Sequence, residues 1–291
     1  MSSFTYRSFG KINLYLDVLD RRPDGFTNIE TVLQSINLWD SLDVEPAPAD
    51  IALTCSNPTL GGGPDNLVYR AAKLFQERTK IEAGATIHLQ KNLPIAAGLA
   101  GGSGNAAAAL IALNDLWEIG WNKSKLCELA LELGSDVPFC LLGGTVAATG
   151  RGEEMEVLSP MEPRWLVLVH PPLEVSAGYA YGHPKLERNT NARKEGLTPQ
   201  FRRALRTLES RKPEDMIFNR METGIFSDHP ELAIIKERLT EFGCMASAMS
   251  GSGPTVFGLC DGEADARAVA ERIDDYPTTV VRTGSQGVLR E

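Results

Sequence analysis

The sequence predicts an α+β protein built from two domains. Segments with the alternating pattern of strands come first along the chain and helical segments follow, without the regular alternation of a parallel βαβ sheet. The length of 291 residues is large for one core and suits two domains. Two prolines in LSPMEPR (158–164) mark the boundary. We therefore expect one domain over residues 1–160 and another over residues 161–291.

In the first domain, KINLYLDV (11–18) alternates apolar and polar residues, which predicts a half-buried strand. RRPDGF (21–26) follows with Pro, Asp and Gly, which favour a turn. Asn66 stands where it would cap a helix that begins at Leu67. The other predicted elements of this domain are strands over 29–36, 41–46, 50–55, 85–93, 145–150 and 153–158, a helix ending near Trp117 and a helix over 123–133.

In the second domain, WLVLVHPP (165–172) is typical of a buried strand. GCMASAMSGSGPTVFGLC (243–260) predicts a strand, a glycine loop and a second strand, and TTVVRTG (278–284) predicts a final strand. The polar segment 187–199 is expected to be a loop. Helices are predicted over 174–182, 198–210, 213–220, 230–242 and 263–274.

The composition restricts the classes of partner. Hydrophobic residues make up 43% and charged residues 23%, which is ordinary for a globular protein. There are 38 acidic and 29 basic residues, giving a net charge of −9. This balance disfavours binding to nucleic acid or to an anionic membrane, but it allows a local positive site for a small anionic substrate.

Cysteine and histidine give no sign of a disulfide framework or a metal centre. The count of five cysteines is odd, without a C-x-x-C pair, so we expect reduced thiols in a cytoplasmic protein. The four histidines are scattered without the spacing of zinc ligands, and we predict no protein metal site. The N-terminal segment lacks the pattern of a signal peptide or a membrane span. Whether the protein is a monomer or a homodimer is left open.

The segment PIAAGLAGGSGNAAAAL (94–110) concentrates glycine just before an alanine-rich run of helical character. The first amides of a helix lack internal partners, and glycines let them approach phosphate oxygens closely. The Walker and dinucleotide-binding patterns are both absent. The residues alone therefore leave two readings open, namely an unusual phosphate loop or a tight connection between a strand and a closely packed helix.

This segment resembles the second motif of the GHMP kinases, a family named for galacto-, homoserine, mevalonate and phosphomevalonate kinases. KINLYLDV resembles the first motif, SAMSGSGPTVFGL (247–259) resembles the third, and the order is the same. The resemblance implies a ribosomal-protein-S5-like N-terminal domain and a ferredoxin-like C-terminal domain. It also implies an active site in the cleft between them.

Four further segments, KINL, RRPDGF, GSDVPF and ERNT, resemble one branch of that family, the kinases of 4-diphosphocytidyl-2-C-methyl-D-erythritol. Taken together, the matches span nearly the whole chain. The departures are Ala96 and Ala100 in place of glycines, Gly104 in place of a serine, and Phe26-Thr27 in place of Tyr-His.

The resemblance assigns the chemistry to two side chains. Asp136 is the base that takes the proton of the alcohol, and Lys11 lies beside it and offsets negative charge. On the residues alone, Asp136 is also a plausible helix N-cap, with Pro138 in the first turn of that helix. Lys11 could likewise be a solvated lysine on a strand.

ATP, entering with Mg²⁺, is the implied cofactor, with no protein ligand to the metal assigned. Ser103 is expected to contact phosphate or Mg²⁺ through its hydroxyl. The residues that the resemblance assigns to ATP are Pro94, Ile95, Ala96, Ala97, Gly98, Leu99, Ala100, Gly101, Gly102, Ser103, Gly104 and Asn105.

The acceptor pocket is implied to hold cytidine between two aromatic rings, those of Phe26 and Tyr181. Thr27 stands where the branch has a histidine that reads the base edge, and threonine offers only one short hydroxyl. On the residues alone, Tyr181 could instead be a helix residue that packs on the core. The glycine loop at Gly251 could instead be an ordinary hairpin turn. The residues assigned to the substrate are Asn13, Phe26, Thr27, Tyr181, Gly251, Ser252 and Gly253.

The expected activity is ATP-dependent phosphorylation of the 2-hydroxyl of 4-diphosphocytidyl-2-C-methyl-D-erythritol, a step of the non-mevalonate isoprenoid pathway. Two alternatives remain open. One is a GHMP-type kinase of another small alcohol, which Thr27 favours. The other is a nucleotide-binding sensor without catalysis, which the presence of both Lys11 and Asp136 disfavours.

Overall fold

The structure, a computed structural model, describes residues 3–190 and 196–291. The strands are β1 (Phe4–Arg21), β2 (Thr27–Ala47), β3 (Ile51–Cys55), β4 (Gly84–Gln90), β5 (Thr145–Thr149), β6 (Glu154–Val157), β7 (Trp165–Val169), β8 (Phe218–Asn219), β9 (Ala246–Met249), β10 (Val256–Cys260), β11 (Thr278–Arg282) and β12 (Val288–Arg290). The helices are α1 (Leu67–Thr79), α2 (Gly101–Leu116), α3 (Lys123–Ala130), α4 (Val137–Leu142), α5 (Ala177–Gly182), α6 (Pro199–Glu209), α7 (Glu222–Asp228), α8 (Pro230–Glu241) and α9 (Glu263–Arg272).

A long antiparallel pair, β1 and β2, forms the spine of the first sheet. The predicted turn between them is confirmed, and Asp24 closes it by accepting a hydrogen bond of 3.1 Å from the Phe26 amide. The two strands predicted over 29–36 and 41–46 are one continuous strand, because the residues between them keep pairing with β1 through an irregularity near Gly10. The sheet runs in the order β12-β1-β2-β4-β3, with β5 and β8 added to β2 and β1 and β6 added to β5.

The second sheet is antiparallel, with strand order β11-β7-β10-β9. Taken along the chain as β7, α8, β9, β10, α9 and β11, this is the ferredoxin-like arrangement, which confirms the predicted fold of the C-terminal half. Helices α8 and α9 pack on this sheet. Leu166, Leu168 and Phe257 lie in one buried cluster with Ile12 and Val32 of the first sheet, so an apolar core joins the two halves.

Two segments beyond residue 160 extend the first sheet, namely β8 and β12. The predicted helix over 213–220 is wrong: Pro213–Met216 is a short 3₁₀ turn, and β8 then pairs with β1 at Tyr15. Tertiary pairing overrides local preference here, because Asn219 donates hydrogen bonds to Met249 O (2.7 Å) and Gly251 O (2.8 Å). The sequence interpretation also missed α7 and β12.

The helix that carries the alanine run, α2, packs deep in the first domain. Ala106, Ala107, Ala108 and Ala109 have no solvent exposure, and small side chains allow the helix backbone to approach its neighbours closely. Asn66 caps α1 as predicted, accepting from the Val68 amide at 2.9 Å. Of the predicted loop 187–199, residues 191–195 lie outside the described residues. Every helix in the described part of the chain is too short or too polar to cross a bilayer.

His170 gives the second domain a specific pH dependence of stability. Its ring lies between two threonine hydroxyls, with Nδ1 at 3.3 Å from Thr255 Oγ1 and Nε2 at 3.0 Å from Thr279 Oγ1. Burial lowers the pKa of His170 from 6.5 to about 4. The unfolded chain therefore binds this proton more tightly. The stability that the neutral ring contributes is complete above pH 6.5 and is lost as pH falls toward 4, a loss of about 3 kcal/mol.

The expected result is that His170→Gln flattens the decline in unfolding free energy over this pH range, measured by urea denaturation. His88 is a suitable control because it is exposed on β4, and His88→Gln should keep the decline of the wild type. An unchanged decline in His170→Gln would contradict the assignment.

Candidate active site

Two adjoining cavities lie along the glycine loop (residues 94–104). The first, of about 400 Å³, is bounded by the loop, the start of α1 and residues 175–177. The second, of about 490 Å³, extends between β1, β2, α5 and the segment before α4. Residues that line both cavities are Gly98, Ala100, Ser103, Ala177 and Ser252. The loop is thus the place where two separate ligands would meet.

The start of α2 presents free backbone donors to the first cavity. Ala100 precedes the helix in a left-handed conformation, with φ +56°, and provides no side-chain cap. The amide of Gly104 is the first to bond within the helix, to Ala100 O at 2.8 Å. The amides of residues 101–103 therefore remain available, at the end of the helix where the dipole favours an anion.

The two glycine loops of the sequence are in direct contact. Gly98 has φ +74°, and a Cβ on it would lie 2.0 Å from Ser250 O, so only glycine fits. Ser250 Oγ donates to Gly98 O at 2.9 Å, while the Lys11 amide donates to Leu99 O at 3.0 Å. These contacts hold the phosphate-loop candidate against both halves of the molecule.

Lys11 is buried where the two cavities meet. Its Nζ donates to Asn13 Oδ1 and to Gly98 O, both at 2.8 Å. An ammonium group has three donors, so one remains for a ligand. Burial lowers the pKa of Lys11, and the nearby carboxylate of Asp136 opposes that shift. Asn13 is held in turn by donating to Thr31 Oγ1 at 2.9 Å. Lys11 is therefore not the solvated surface lysine that the sequence alone also allowed.

Asp136 precedes α4 but does not cap it. Its backbone is already in the helical region, with φ −81° and ψ −14°, and its carboxylate makes no cap hydrogen bond. The carboxylate instead lines the second cavity with Lys11 and Ser103. The side chain of Asp136 therefore does not act as a helix N-cap. Its carboxylate is available to a ligand in the second cavity.

Aromatic rings line the far side of the second cavity. Phe26 is 48% exposed, and the guanidinium of Arg151 lies 4.6 Å from its ring centroid. Tyr181 lines the same cavity from α5 and also packs on the second core, and burial raises the pKa of its hydroxyl. Arg188, in the ERNT segment, donates to Thr27 Oγ1 at 3.2 Å and to Tyr181 O at 2.5 Å, which ties the two walls together.

Three of the predicted site residues have mainly structural surroundings. Gly104 packs against β1, with Phe9 O 3.3 Å from the position of a Cβ. Gly253 closes the turn of the second glycine loop through its amide, which donates to Ser250 O at 2.9 Å. The side chain of Asn105 donates to Ser8 and Asp40 in a buried polar cluster, although the residue also borders the first cavity. The other predicted residues line at least one of the two cavities.

Sequence reasoning missed several residues around the site. Arg151 and Arg188 belong to it through the contacts given above, and Asp40 and Lys91 hold the polar cluster beneath the loop. The only local signal was for Arg188, which lies in ERNT. Among the described residues, no three His, Cys, Asp or Glu side chains are grouped as metal ligands.

Comparison with known proteins gives a consistent family. Sequence models of the GHMP kinases N terminal domain and the GHMP kinases C terminal match residues 66–144 and 200–277. The chain is 46% identical over 282 residues to the 4-diphosphocytidyl-2-C-methyl-D-erythritol kinase of Pelotomaculum thermopropionicum, which covers 94% of this chain and 95% of the relative. It is 41% identical over 250 residues to the protein of that name from Bacillus cytotoxicus, covering 86% and 85%.

Solved structures agree. A crystal structure of 4-(cytidine 5'-diphospho)-2C-methyl-D-erythritol kinase superposes with a TM-score of 0.82 at 33% identity, covering 96% of this chain and 99% of the other. The homoserine kinase of Cytophaga hutchinsonii, at 18% identity, shares the fold with a TM-score of 0.77, covering 100% and 98%. With this identity along most of its length, the chain belongs to the GHMP kinases, in the family of 4-diphosphocytidyl-2-C-methyl-D-erythritol kinases.

Proposed function

We propose that the protein transfers the γ-phosphoryl group of ATP to the 2-hydroxyl of 4-diphosphocytidyl-2-C-methyl-D-erythritol. The observation that carries this proposal is the meeting of two cavities at one loop, where the second cavity is lined by the carboxylate residue Asp136 and by a buried lysine bonded to that loop. Phosphoryl transfer depends mainly on positioning and on charge stabilisation. Adjoining cavities would place a phosphoryl donor next to an alcohol acceptor, and the charged side chains would stabilise the transferring group.

The first cavity would hold ATP. The uncapped amides of residues 101–103 and the dipole of α2 provide donors for the β- and γ-phosphates. The loop itself contains no lysine, so the donors that it contributes are these amides and the hydroxyl of Ser103. Asn66 and Leu67, at the start of α1, line the same cavity and would lie beside the nucleoside.

At the junction, Asp136 would accept the proton of the acceptor hydroxyl. The oxygen forms a bond to the γ-phosphorus, the bond between that phosphorus and the β,γ-bridging oxygen breaks, and ADP leaves. The free donor of Lys11 would contact a γ-phosphate oxygen, where its charge stabilises the transferring group. The negative charge of Asp136 in turn favours the charged form of Lys11 and opposes the effect of burial on the pKa of the ammonium.

The second cavity would hold the cytidyl end of the acceptor. Phe26 and Tyr181 present aromatic surface from the two halves of the molecule, which suits stacking of a base. Thr27 has an oxygen that accepts from Arg188, so its own hydrogen is free to be donated to an acceptor atom of the base. Arg151 adds a positive charge at the wall, which suits the diphosphate.

Mg²⁺ fits this site as a partner of ATP. It takes oxygen ligands and usually keeps several waters, and Ser103 and Asp136 are among the oxygen side chains that line the second cavity. When bound, it would offset the negative charge of the phosphates. Ser103 would hold the metal or a phosphate oxygen through its hydroxyl.

The test is incubation of the protein with ATP, Mg²⁺ and the cytidyl acceptor, with ADP and the phosphorylated product measured. We expect one ADP for each acceptor phosphorylated. The presence of Thr27 favours a second candidate, a kinase of another small alcohol, so homoserine, mevalonate and the acceptor lacking the cytidyl group belong in the panel. Turnover of one of these without turnover of the cytidyl acceptor would contradict the proposed substrate.

A further inference from the structure

A carboxylate without solvent exposure, that of Asp40 on β2, lies beneath the glycine loop. Its Oδ1 accepts from the amides of Asn92 (2.6 Å) and Leu93 (2.8 Å), and its Oδ2 accepts from Asn105 Nδ2 (2.8 Å) and from the Lys91 ammonium. One side chain therefore accepts four hydrogen bonds from two separate parts of the chain. These parts are the segment that enters the loop and the second turn of the helix that leaves it.

The partners of Asp40 also form hydrogen bonds with one another and with β1. Asn105 Nδ2 also donates to Ser8 Oγ on β1 at 2.7 Å, and Lys91 Nζ donates to Asn105 Oδ1 at 3.1 Å. Lys91, with only 6% of its side chain exposed, is the counter-charge that permits a carboxylate to be buried close to the phosphate site. The Lys91 ammonium therefore forms its ion pair with Asp40.

We propose that Asp40 is a positioning residue for ATP, an inference that rests on the proposed function. By bonding to both ends of the loop, Asp40 fixes the distance between residues 92–93 and the start of α2, and with it the direction of the amides at 101–103. Donors that are fixed before the ligand arrives need no reorganisation when it binds. Asp40 lines neither cavity itself, but its partners Lys91 and Asn105 line the first one, so Asp40 acts on the ATP site through the groups that it holds in place.

Asp40→Asn tests this, with the affinity for ATP and for the cytidyl acceptor measured separately by titration calorimetry. Asparagine keeps the shape, but it replaces one acceptor oxygen with an NH₂ group and leaves Lys91 without a counter-charge. We expect the Kd for ATP to rise about 10- to 100-fold and the Kd for the acceptor to change less than about twofold. Asp43→Asn is the matched control, because Asp43 lies on the same strand, is exposed and accepts from Thr5 Oγ1, at 2.7 Å.

An unchanged Kd for ATP would overturn the proposal. An equal loss for both ligands would also overturn it, because it would mean that Asp40 only supports the fold. If Asp40→Asn does not fold, Ser8→Ala removes one bond of the same cluster, and we expect the Kd for ATP alone to rise about two- to tenfold. Wild-type protein that binds ATP but does not phosphorylate the acceptor would contradict the proposed function and leave this test valid.

Discussion

Replacing Asp136 with asparagine is expected to lower kcat for the cytidyl acceptor by about 10²- to 10⁴-fold, the usual contribution of a positioned general base. The amide has the same shape but cannot take the proton of the hydroxyl. The KM values for ATP and acceptor should change little, because the loop and the aromatic walls remain in place. Steady-state kinetics with each substrate varied in turn measures this separation.

Asp136→Asn should remain folded, because the carboxylate makes no cap hydrogen bond to α4, although the loss of its charge makes the burial of the Lys11 ammonium more costly. Glu132→Gln provides the matched control, since Glu132 lies four residues earlier and is exposed, with an ion pair to Arg78 outside the site. A variant that keeps the wild-type kcat would show that Asp136 is not the base. Unfolding curves exclude the trivial explanation of a misfolded variant.

Replacing Lys11 with methionine is expected to lower kcat by about 10²- to 10³-fold, the range found when one donor to developing charge is removed. Methionine fills a similar volume but provides neither the charge nor the donors now directed to Asn13 and Gly98. The free energy of unfolding should not fall in parallel, because burying a charged group is costly and an apolar side chain of similar size avoids that cost. In the same variant, steady-state kinetics should therefore show a large loss of kcat, while urea denaturation should show no comparable loss in the free energy of unfolding.

The pH profile gives an independent measure of Lys11. Burial lowers the pKa of its ammonium below the usual 10.5, so the charged fraction, and with it kcat/KM, should decline as pH rises through that lowered value. Lys11→Arg should remove this alkaline decline within the measurable range, because arginine stays charged. Lys125→Arg is the control and should keep the wild-type profile, because Lys125 is exposed on α3, with its ammonium over the ring of Trp121. A profile that Lys11→Arg leaves unchanged would contradict the assignment.

The fold was predictable where the signal is local. The strand over residues 11–18, the PDG turn and the Asn66 cap each depend on neighbours in sequence, and the structure has all three. The half-burial predicted from the alternating pattern is wrong, because other parts of the chain cover the polar face of residues 11–18 as well. The errors lie where distant partners decide. Residues 218–219 form a strand because β1 offers an edge, and β2 continues without a break because β1 runs alongside it.

The same distinction applies to the site. The glycine loop and Asp136 stand in recognisable motifs, whereas Asp40 sits in an ordinary strand, and its partner Asn105 is 65 positions away. Arg188 and Thr27 are 161 positions apart, so their contact has no local signal. Residue type alone could not show that Lys11 is buried, because the loop that covers it comes from another part of the chain.

Two departures from the family motif have a backbone explanation. Ala96 and Ala100 stand where the motif has glycine, and both lie in the left-handed region, with φ +51° and +56°. That conformation costs a residue with a Cβ about 1–2 kcal/mol, which explains why glycine is the motif residue. The loop nevertheless keeps its shape, because contacts from Lys11 and Ser250 hold it at Gly98 and Leu99.

A crystal structure of the protein with a non-hydrolysable ATP analogue and the cytidyl acceptor tests the central claim most directly. We expect the γ-phosphate to lie on the amides of residues 101–103 and the 2-hydroxyl of the acceptor to lie about 2.6–3.2 Å from a carboxylate oxygen of Asp136. A triphosphate bound away from the first cavity, or an acceptor hydroxyl out of reach of Asp136, would contradict the account.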